Sequence, residues 1–243
     1  MNYEQARFNM IEQQIRPWEV LDNQVLSLLA IVRREDFVPL AHRALAFVDM
    51  EIPLDAGPAA QREPGQCMLA PKVEARILQD LAVQKHEKVL EIGTGSGYMA
   101  ALLAHRGQQV VTLEINPELA SRARINLQRA GVYNAEVLTR DGAASFGPVT
   151  ATPDDRSPTG AEDDVLNSLF DVIVLSGSVA EVPASLLSLL KVGGRLSAIV
   201  GFEPVMRATL MTRVADKAWR TTQAWDTVAP RLLHFPEPST FTF

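Results

Sequence analysis

Residues 89–98 read Val89-Leu90-Glu91-Ile92-Gly93-Thr94-Gly95-Ser96-Gly97-Tyr98, and this stretch decides the fold. A short apolar run ends at an acid, three glycines follow at alternate positions, and a helix-like segment begins at Tyr98. The pattern predicts a buried strand, a tight turn and a helix N-terminus. Glycine admits positive φ and lets a ligand approach the backbone. The carboxyl end of a strand in an open α/β sheet is where ligands bind. The spacing is G-x-G-x-G, whereas dinucleotide sites use G-x-G-x-x-G. Tyr98 stands where the third dinucleotide glycine would be, and no Gly-Lys-Ser/Thr follows, so a P-loop is excluded. At this point an ordinary glycine-rich turn remains the alternative to a binding site.

Downstream, strands and helices alternate. A helix is expected over 98–105 and a strand over 109–114. Asn116-Pro117-Glu118 then combines a capping residue, a proline at the first helical position and an acid in the first turn. That helix ends near Gly131. Further strands are expected at 135–138, 170–175 and 195–200, with a helix over 183–190 and a turn at Gly193-Gly194. This order predicts a mostly parallel sheet with helices on both faces. Residues 208–214 and 221–227 alternate in polarity and predict an antiparallel C-terminal edge. Residues 147–168 carry Asp154, Asp155, Glu162, Asp163 and Asp164 in a polar setting, and read as an acidic mobile insertion.

Upstream, residues 2–16 read as a helix capped by Asn2, with Phe8, Ile11 and Ile15 on one face, ended by Pro17. Asp22 caps a second helix with Val25, Leu28, Leu29 and Val32 inward. Arg33-Arg34-Glu35-Asp36 reads as a solvated charged break. A loop over 55–66 leads into Gly65-Gln66-Cys67-Met68-Leu69-Ala70-Pro71-Lys72 and a helix through Leu81. The expected division is a helical extension with a loop over 1–80, and a ligand-binding domain over 81–243.

The chain has 243 residues and a net charge of −6, so it lacks the basic footprint of a nucleic-acid-binding protein. Cys67 is the single cysteine, which excludes an intrachain disulfide and favours a cytoplasmic setting. No apolar run reaches the roughly 18–20 residues that span a bilayer. The four histidines, His42, His86, His105 and His234, show no ligand spacing, so neither a metal site nor a Cys–His pair is expected.

Two acids reinforce the glycine turn. Glu114 ends the second strand, where a carboxylate accepts both ribose hydroxyls of a nucleoside. Asp141 ends the third, where it would accept from an adenine amine, with Gly142 leaving room for the ring. A strand-end carboxylate capping its own turn is the alternative for each. Asp171 is read as structural, Lys72 as a solvated helix-start lysine, and Cys67 as loop packing.

A G-x-G-x-G turn preceded by Glu91 looks like the S-adenosylmethionine site of Rossmann-like class I methyltransferases. The ordered set resembles one family, the protein-L-isoaspartate (D-aspartate) O-methyltransferases. The resemblance runs through Arg33–Val38, Gly65-Gln66, Pro71, residues 89–98 and 110–114, Asp141-Gly142 and residues 170–174. It continues through Glu181-Val182-Pro183, residues 190–196, Val200-Gly201 and Val228-Ala229-Pro230-Arg231-Leu232. It implies S-adenosylmethionine as cofactor, held by Glu91, Gly93, Thr94, Gly95, Ser96, Gly97, Glu114, Asp141 and Gly142. It also implies an isoaspartyl-containing protein as substrate, met by a loop with Gln66, Cys67, Leu69 and Pro71. One departure stands out. The family's loop carries a serine that contacts the reacting carboxylate, and this chain has Leu69 there, with Cys67 at the family's threonine. A leucine side chain donates no hydrogen bond. The loss of one orienting hydroxyl costs about 1–3 kcal/mol, ten- to a hundredfold in rate; a methyltransferase of the same family with a different, less polar acceptor, and a protein that binds S-adenosylmethionine without catalysis, are the other readings.

Overall fold

The computed structural model describes residues 2–55, 65–146, 166 and 168–237. Most of the stretch read as an acidic insertion, and the end of the chain beyond residue 237, lie outside the described residues.

The N-terminal part runs α1 (Tyr3–Met10), α2 (Asn23–Ile31), the two-residue strands β1 (Ile52–Pro53) and β2 (Cys67–Met68), and α3 (Pro71–Leu81). The main unit follows as β3 (Lys88–Ile92), α4 (Tyr98–Arg106), β4 (Gln109–Glu114), α5 (Pro117–Arg129), β5 (Ala135–Thr139), β6 (Phe170–Val179), α6 (Ala184–Ser188), β7 (Leu190–Phe202), β8 (Val205–Ala215) and β9 (Ala218–Thr227). Seven strands form one sheet in the order β5-β4-β3-β6-β7-β8-β9. The pairs from β5 to β7 are parallel; β7–β8 and β8–β9 are antiparallel. This is the expected α/β architecture with its antiparallel C-terminal edge. The order reverses between β3 and β6, the position where doubly wound sheets open a crevice at their strand tips.

Strand alternation sorts the core into two faces. Val89, Val110, Val172 and Val174 pack with α3, α4, α5 and the N-terminal helices. Leu90, Ile92, Leu113, Ile173 and Leu175 pack on the other face with α6 and with Phe146, Leu166 and Phe235. The same alternation turns Glu91 and Thr112 toward the α3 side, level with each other in the β3–β4 pair.

The caps read from the sequence are formed. Asn2 accepts from the Gln5 amide, Asp22 from Gln24, and Asn116 from Glu118 and Leu119. Three expectations need correction. Residues 2–16 are not one α-helix: α1 stops at Met10 and continues through a π-wound turn at Ile11–Ile15 and a 3₁₀ turn at Arg16–Trp18. The inward face nevertheless keeps ordinary helical spacing through Arg7, Met10, Ile11 and Ile15, which are buried, and leaves Phe8 59% exposed. Second, the helix expected over 183–190 ends at Ser188, because Leu190 already pairs with Phe170 in the sheet. Gly193-Gly194 is therefore an irregularity inside β7 rather than a turn before it.

Third, the charged quartet 33–36 is not a solvated break. Arg34 is fully buried, ion-paired with Glu74 of α3, and donates to the Leu69 carbonyl at 2.6 Å. Its guanidinium lies 5.2 Å from the centre of the buried Tyr98 ring. Glu35 is buried against Arg7. Only Arg33 and Asp36 face outward, paired with each other at 3.0 Å. A 3₁₀ turn at Arg34–Asp36 separates them from the buried pair, a period too short to show as a pattern.

These ion pairs tie the extension to the sheet. Removing one partner of a buried pair strands the other, at about 3–5 kcal/mol, whereas replacing both by apolar groups is often near neutral. Arg34→Met is expected to lose about 3 kcal/mol or more in urea unfolding at neutral pH. Arg34→Met/Glu74→Leu is expected to recover at least half of that loss.

Candidate functional site

All three turn glycines take left-handed backbone: φ is 96° at Gly93, 54° at Gly95 and 84° at Gly97. Gly97 is also the N-cap of α4. A side chain at any of them is strained whatever the space around it. The turn is held from the next strand. The Glu114 Oε2 accepts from the Gly95 amide at 2.8 Å and its Oε1 from the Asn116 amide at 3.0 Å. One carboxylate therefore ties the β3–α4 turn to the start of α5. Each of its oxygens retains a further lone pair. The alternative of a turn-capping acid and the reading of a ribose acceptor are thus compatible at this residue.

Beneath the turn runs a buried polar chain. Thr94 Oγ1 and Thr112 Oγ1 are 2.6 Å apart, the Thr112 hydroxyl donates to Glu91 Oε2 at 2.7 Å, and the Ser176 hydroxyl donates to Glu91 Oε1 at 2.7 Å. Glu91 has no exposed surface. Burial pushes its carboxyl up to about 8, against the two hydroxyl donors and with help from the nearby Glu74 and Glu114 charges. Burial also drives Glu74 upward, against Arg34. Ser176 and Thr112 had no signal of their own in the sequence. Their strand registers beside Glu91 are what reveal them.

Asp141 closes the third strand tip. Its Oδ1 accepts from the Ala143 and Ala144 amides at 2.9 and 3.4 Å, and its Oδ2 lies 2.6 Å from His234 Nδ1. Partial burial works to raise its pKa, but the His234 contact and the two amides outweigh it and hold the carboxyl below its ordinary value. Gly142 is required by proximity: a Cβ there would fall 2.3 Å from Ile92 Cγ2. The histidines, scattered in sequence, gave no hint that His234 would reach this acid.

Residues 228–235 cross the strand tips. The Ser178 amide donates to the Pro230 carbonyl at 2.7 Å and the Leu232 amide to the Ser178 carbonyl at 2.9 Å. Leu232 lies over the turn, its Cδ2 3.0 Å from where a Gly93 Cβ would stand. Pro230 lies against Gly65 of the loop.

In that loop Gln66 accepts the Leu54 amide through its carbonyl. Cys67 Sγ lies 3.6 Å from Glu51 Oε2, and its thiol is pushed up to about 12, first by burial and then by Glu51. A thiol held protonated is no nucleophile, in keeping with a packing role. The Leu69 side chain is buried in the apolar cluster on the α3 face, and Pro71 opens α3. Lys72 is not simply solvated: it pairs with Asp49 at 2.7 Å and stands 3.9 Å over the Trp18 ring. Asp171 is structural as expected, accepting the Lys88 amide and the Lys191 ammonium. A separate cavity of about 820 Å³ lies between residues 31–43 and α5. Gly95 and Ser96 are in its lining and Asp141 is not.

The glycine turn, with Glu114 and Asp141, and the loop at Gly65–Pro71 are all met by, or lie beside, the segment 228–235 at one end of the sheet, and the chain as a whole resembles one family. The model of the family described as Protein-L-isoaspartate(D-aspartate) O-methyltransferase (PCMT) matches residues 5–228. A Methanoculleus marisnigri protein named protein-L-isoaspartate O-methyltransferase is 36% identical over 195 residues, 80% of this chain and 77% of that protein. A Koribacter versatilis protein of the same name is 33% identical over 88% of this chain and 85% of its own length. Among solved structures, a Plasmodium falciparum protein assigned to the same activity, crystallised with S-adenosyl-L-homocysteine, superposes with a TM-score of 0.70. It shares 17% identity and covers 96% of this chain and 98% of its own, a likeness of fold.

The raised Glu91 pKa carries a stability consequence with a definite sign. Folded, the group holds its proton to about pH 8; unfolded, it loses it near 4.5. Its contribution is complete below pH 4.5 and is lost as pH rises toward 8. Glu91→Gln has no such dependence. Between pH 5.5 and 8.5 the difference in unfolding free energy, by urea titration, is expected to move about 3 kcal/mol in favour of Glu91→Gln.

Proposed function

The chain belongs to the protein-L-isoaspartate (D-aspartate) O-methyltransferase family, and we infer from this, with the geometry above, that it is an S-adenosylmethionine-dependent enzyme methylating isoaspartyl carboxylates in damaged proteins. The observation that carries the reading is the pairing of the Gly93–Gly97 turn with Glu114. Three left-handed glycines put no side chain of their own on the strand tip, and a carboxylate already fixed by two amides keeps acceptor capacity free. That is the acceptor the hydroxyls of a nucleoside ribose require. Glu91, Thr94 and Ser96 support the turn from within, and Asp141 with Gly142 forms the neighbouring wall where an adenine would lie.

S-adenosylmethionine supplies a methyl group on a positively charged sulfur. The accepting carboxylate, with a pKa of about 4, is ionised at neutral pH and needs no general base. The work left to the protein is positioning and exclusion of water. In this reading residues 1–80 serve the acceptor and residues 81–243 the donor, with Gln66, Cys67, Leu69 and Pro71 framing the acceptor's entry. A protonated Glu91 keeps negative charge away from an incoming carboxylate. The acceptor is a polypeptide rather than a nucleic acid, consistent with net charge −6. We place the protein in the cytoplasm on its single cysteine. No helix among the described residues is long and apolar enough to cross a membrane.

Leu69 is the observation that favours a second reading, a family member with a less polar acceptor. Its burial bears on this: the side chain fills core on the α3 face, so the loop's backbone and Arg34 set its course.

Methyl transfer from labelled S-adenosylmethionine to an isoaspartyl peptide, beside its aspartyl twin, is expected for the first peptide only; transfer to neither, with the donor bound, rejects the substrate. Glu114→Gln is expected to weaken donor binding about 10- to 100-fold by calorimetry, since a charge-assisted bond contributes about 1.5–3 kcal/mol. Leu69→Ser is expected to keep or raise isoaspartyl activity while costing about 2–3 kcal/mol of stability through lost apolar burial.

A further inference from the structure

Beyond the loop and the donor turn lies a second concavity at the same end of the molecule, a recess of about 370 Å³. Its walls are Trp18, Pro204, Val205, Trp225 and Val228, drawn from the N-terminal 3₁₀ turn, the β7–β8 connection, the end of β9 and the start of the crossing segment. Three of these apolar residues are substantially exposed: Trp18 at 44%, Val205 at 56% and Val228 at 43%. Scattered exposed apolar side chains need no explanation, but several converging on one recess mark a binding surface.

The polar groups around it are engaged within the protein. Lys72 is paired with Asp49 and capped on the Trp18 ring. Arg76 is paired with Glu19 at 3.0 Å and donates to the Trp18 carbonyl at 2.8 Å. The Trp225 indole donates to Asp80 at 2.8 Å, and Asp226 is paired with Arg207. The opposing charges nearly cancel, so what the recess offers is mainly apolar contact, with Lys72 stacked on Trp18 and Arg76 5.6 Å from the centre of the Trp225 ring. Indole surfaces with one wet edge are the usual anchors of protein recognition.

Position names the occupant. Lys72 directly follows Pro71 of the acceptor loop, and Val228 begins the segment whose Pro230 lies against Gly65. The recess therefore borders the loop: its wall residue Lys72 pairs with Asp49, two residues from the Glu51 that Cys67 contacts, so a chain engaged by the loop would run on across it. We propose that the Trp18–Trp225 recess is a subsite for the polypeptide acceptor, taking one large apolar or aromatic side chain that flanks the isoaspartate. This rests on the isoaspartyl reading above and adds a sequence preference to it.

The test is steady-state kinetics on isoaspartyl peptides identical except at one position, scanned over two to four residues on each side, with Phe, Ala or Glu there. At one position Phe is expected to lower KM about tenfold against Ala, the yield of burying much of one apolar side chain. The kcat should stay within about twofold, because uniform binding leaves the chemical step alone, and Glu should give no gain. Trp18→Ala and, independently, Val205→Glu on the exposed connection should erase the Phe advantage and leave the Ala peptide unchanged. Equal KM for Phe and Ala peptides at every position, with all of them methylated, overturns the subsite and spares the activity. A Phe advantage that survives both variants also overturns it. Transfer to no isoaspartyl peptide overturns the activity and the subsite together.

Discussion

The Glu114 carboxylate, accepting one amide from the glycine turn and one from the start of α5, is the contact on which the arrangement of this molecule depends. Parallel strands joined by helices bring their tips to one end of the sheet, but each tip then needs its own sharp reversal. Left to themselves, such reversals leave backbone N–H groups unsatisfied. Here a single side chain satisfies two of them across neighbouring strands, so the turn at Gly93–Gly97 and the start of α5 cannot move apart. The Gly97 position tightens the same joint: a Cβ there would meet Ala123 and Leu127 of α5 at 3.4 Å. The cost of three left-handed residues is bearable because all three are glycine.

Behind that joint the sheet buries several ionisable groups, two ion pairs and the protonated Glu91. Glu91, Glu74, Arg34, Glu35 and Arg7 all lie on the α3 side, each nearly without exposed surface. An apolar core of the same volume would be at least as stable, so stability does not account for them. Their geometry does. Arg34 grips both Glu74 and the Leu69 carbonyl, fixing the loop before α3 against the extension. Glu91 spans β4 and β6 through Thr112 and Ser176, fixing the strand tips against each other. Directional bonds in low dielectric hold two loops in one register where apolar packing would let them slide.

Much of this was legible beforehand, and the reasons are local. The β3 run, the glycine spacing and the Asn116-Pro117-Glu118 start are short-range signals, each set by backbone sterics within a few residues, and each formed as read. Glu114 and Asp141 were legible because strand tips are fixed once strands are. Arg34 and Glu35 were misread because charge next to charge looks solvated. Only the partners Glu74 and Arg7, about 40 and 28 positions away, turn them inward. Phe8 was misread for a related reason, since the inward position beside it is taken by Arg7, drawn in by its pairing with Glu35. His234 on Asp141 spans 93 positions and has no sequence signature.

That last contact belongs to a wider pattern. Residues 228–235 come from the far end of the described chain, yet Pro230 meets Gly65, Leu232 meets Gly93, and His234 meets Asp141. The loop at Gly65, the glycine turn and Asp141, remote from one another in sequence, thus share a single short neighbour. It is pinned to β6 through Ser178 by two backbone bonds and a hydroxyl bond to the Ala229 carbonyl at 2.8 Å. Contact between packed neighbours is how a displacement at one place is felt at another. Whatever seats itself against Pro230 presses on a segment whose next side chains lie over the glycine turn and on Asp141. Loop, turn and strand-tip acid therefore meet one short element in common, and no second element is needed to hold the three in register.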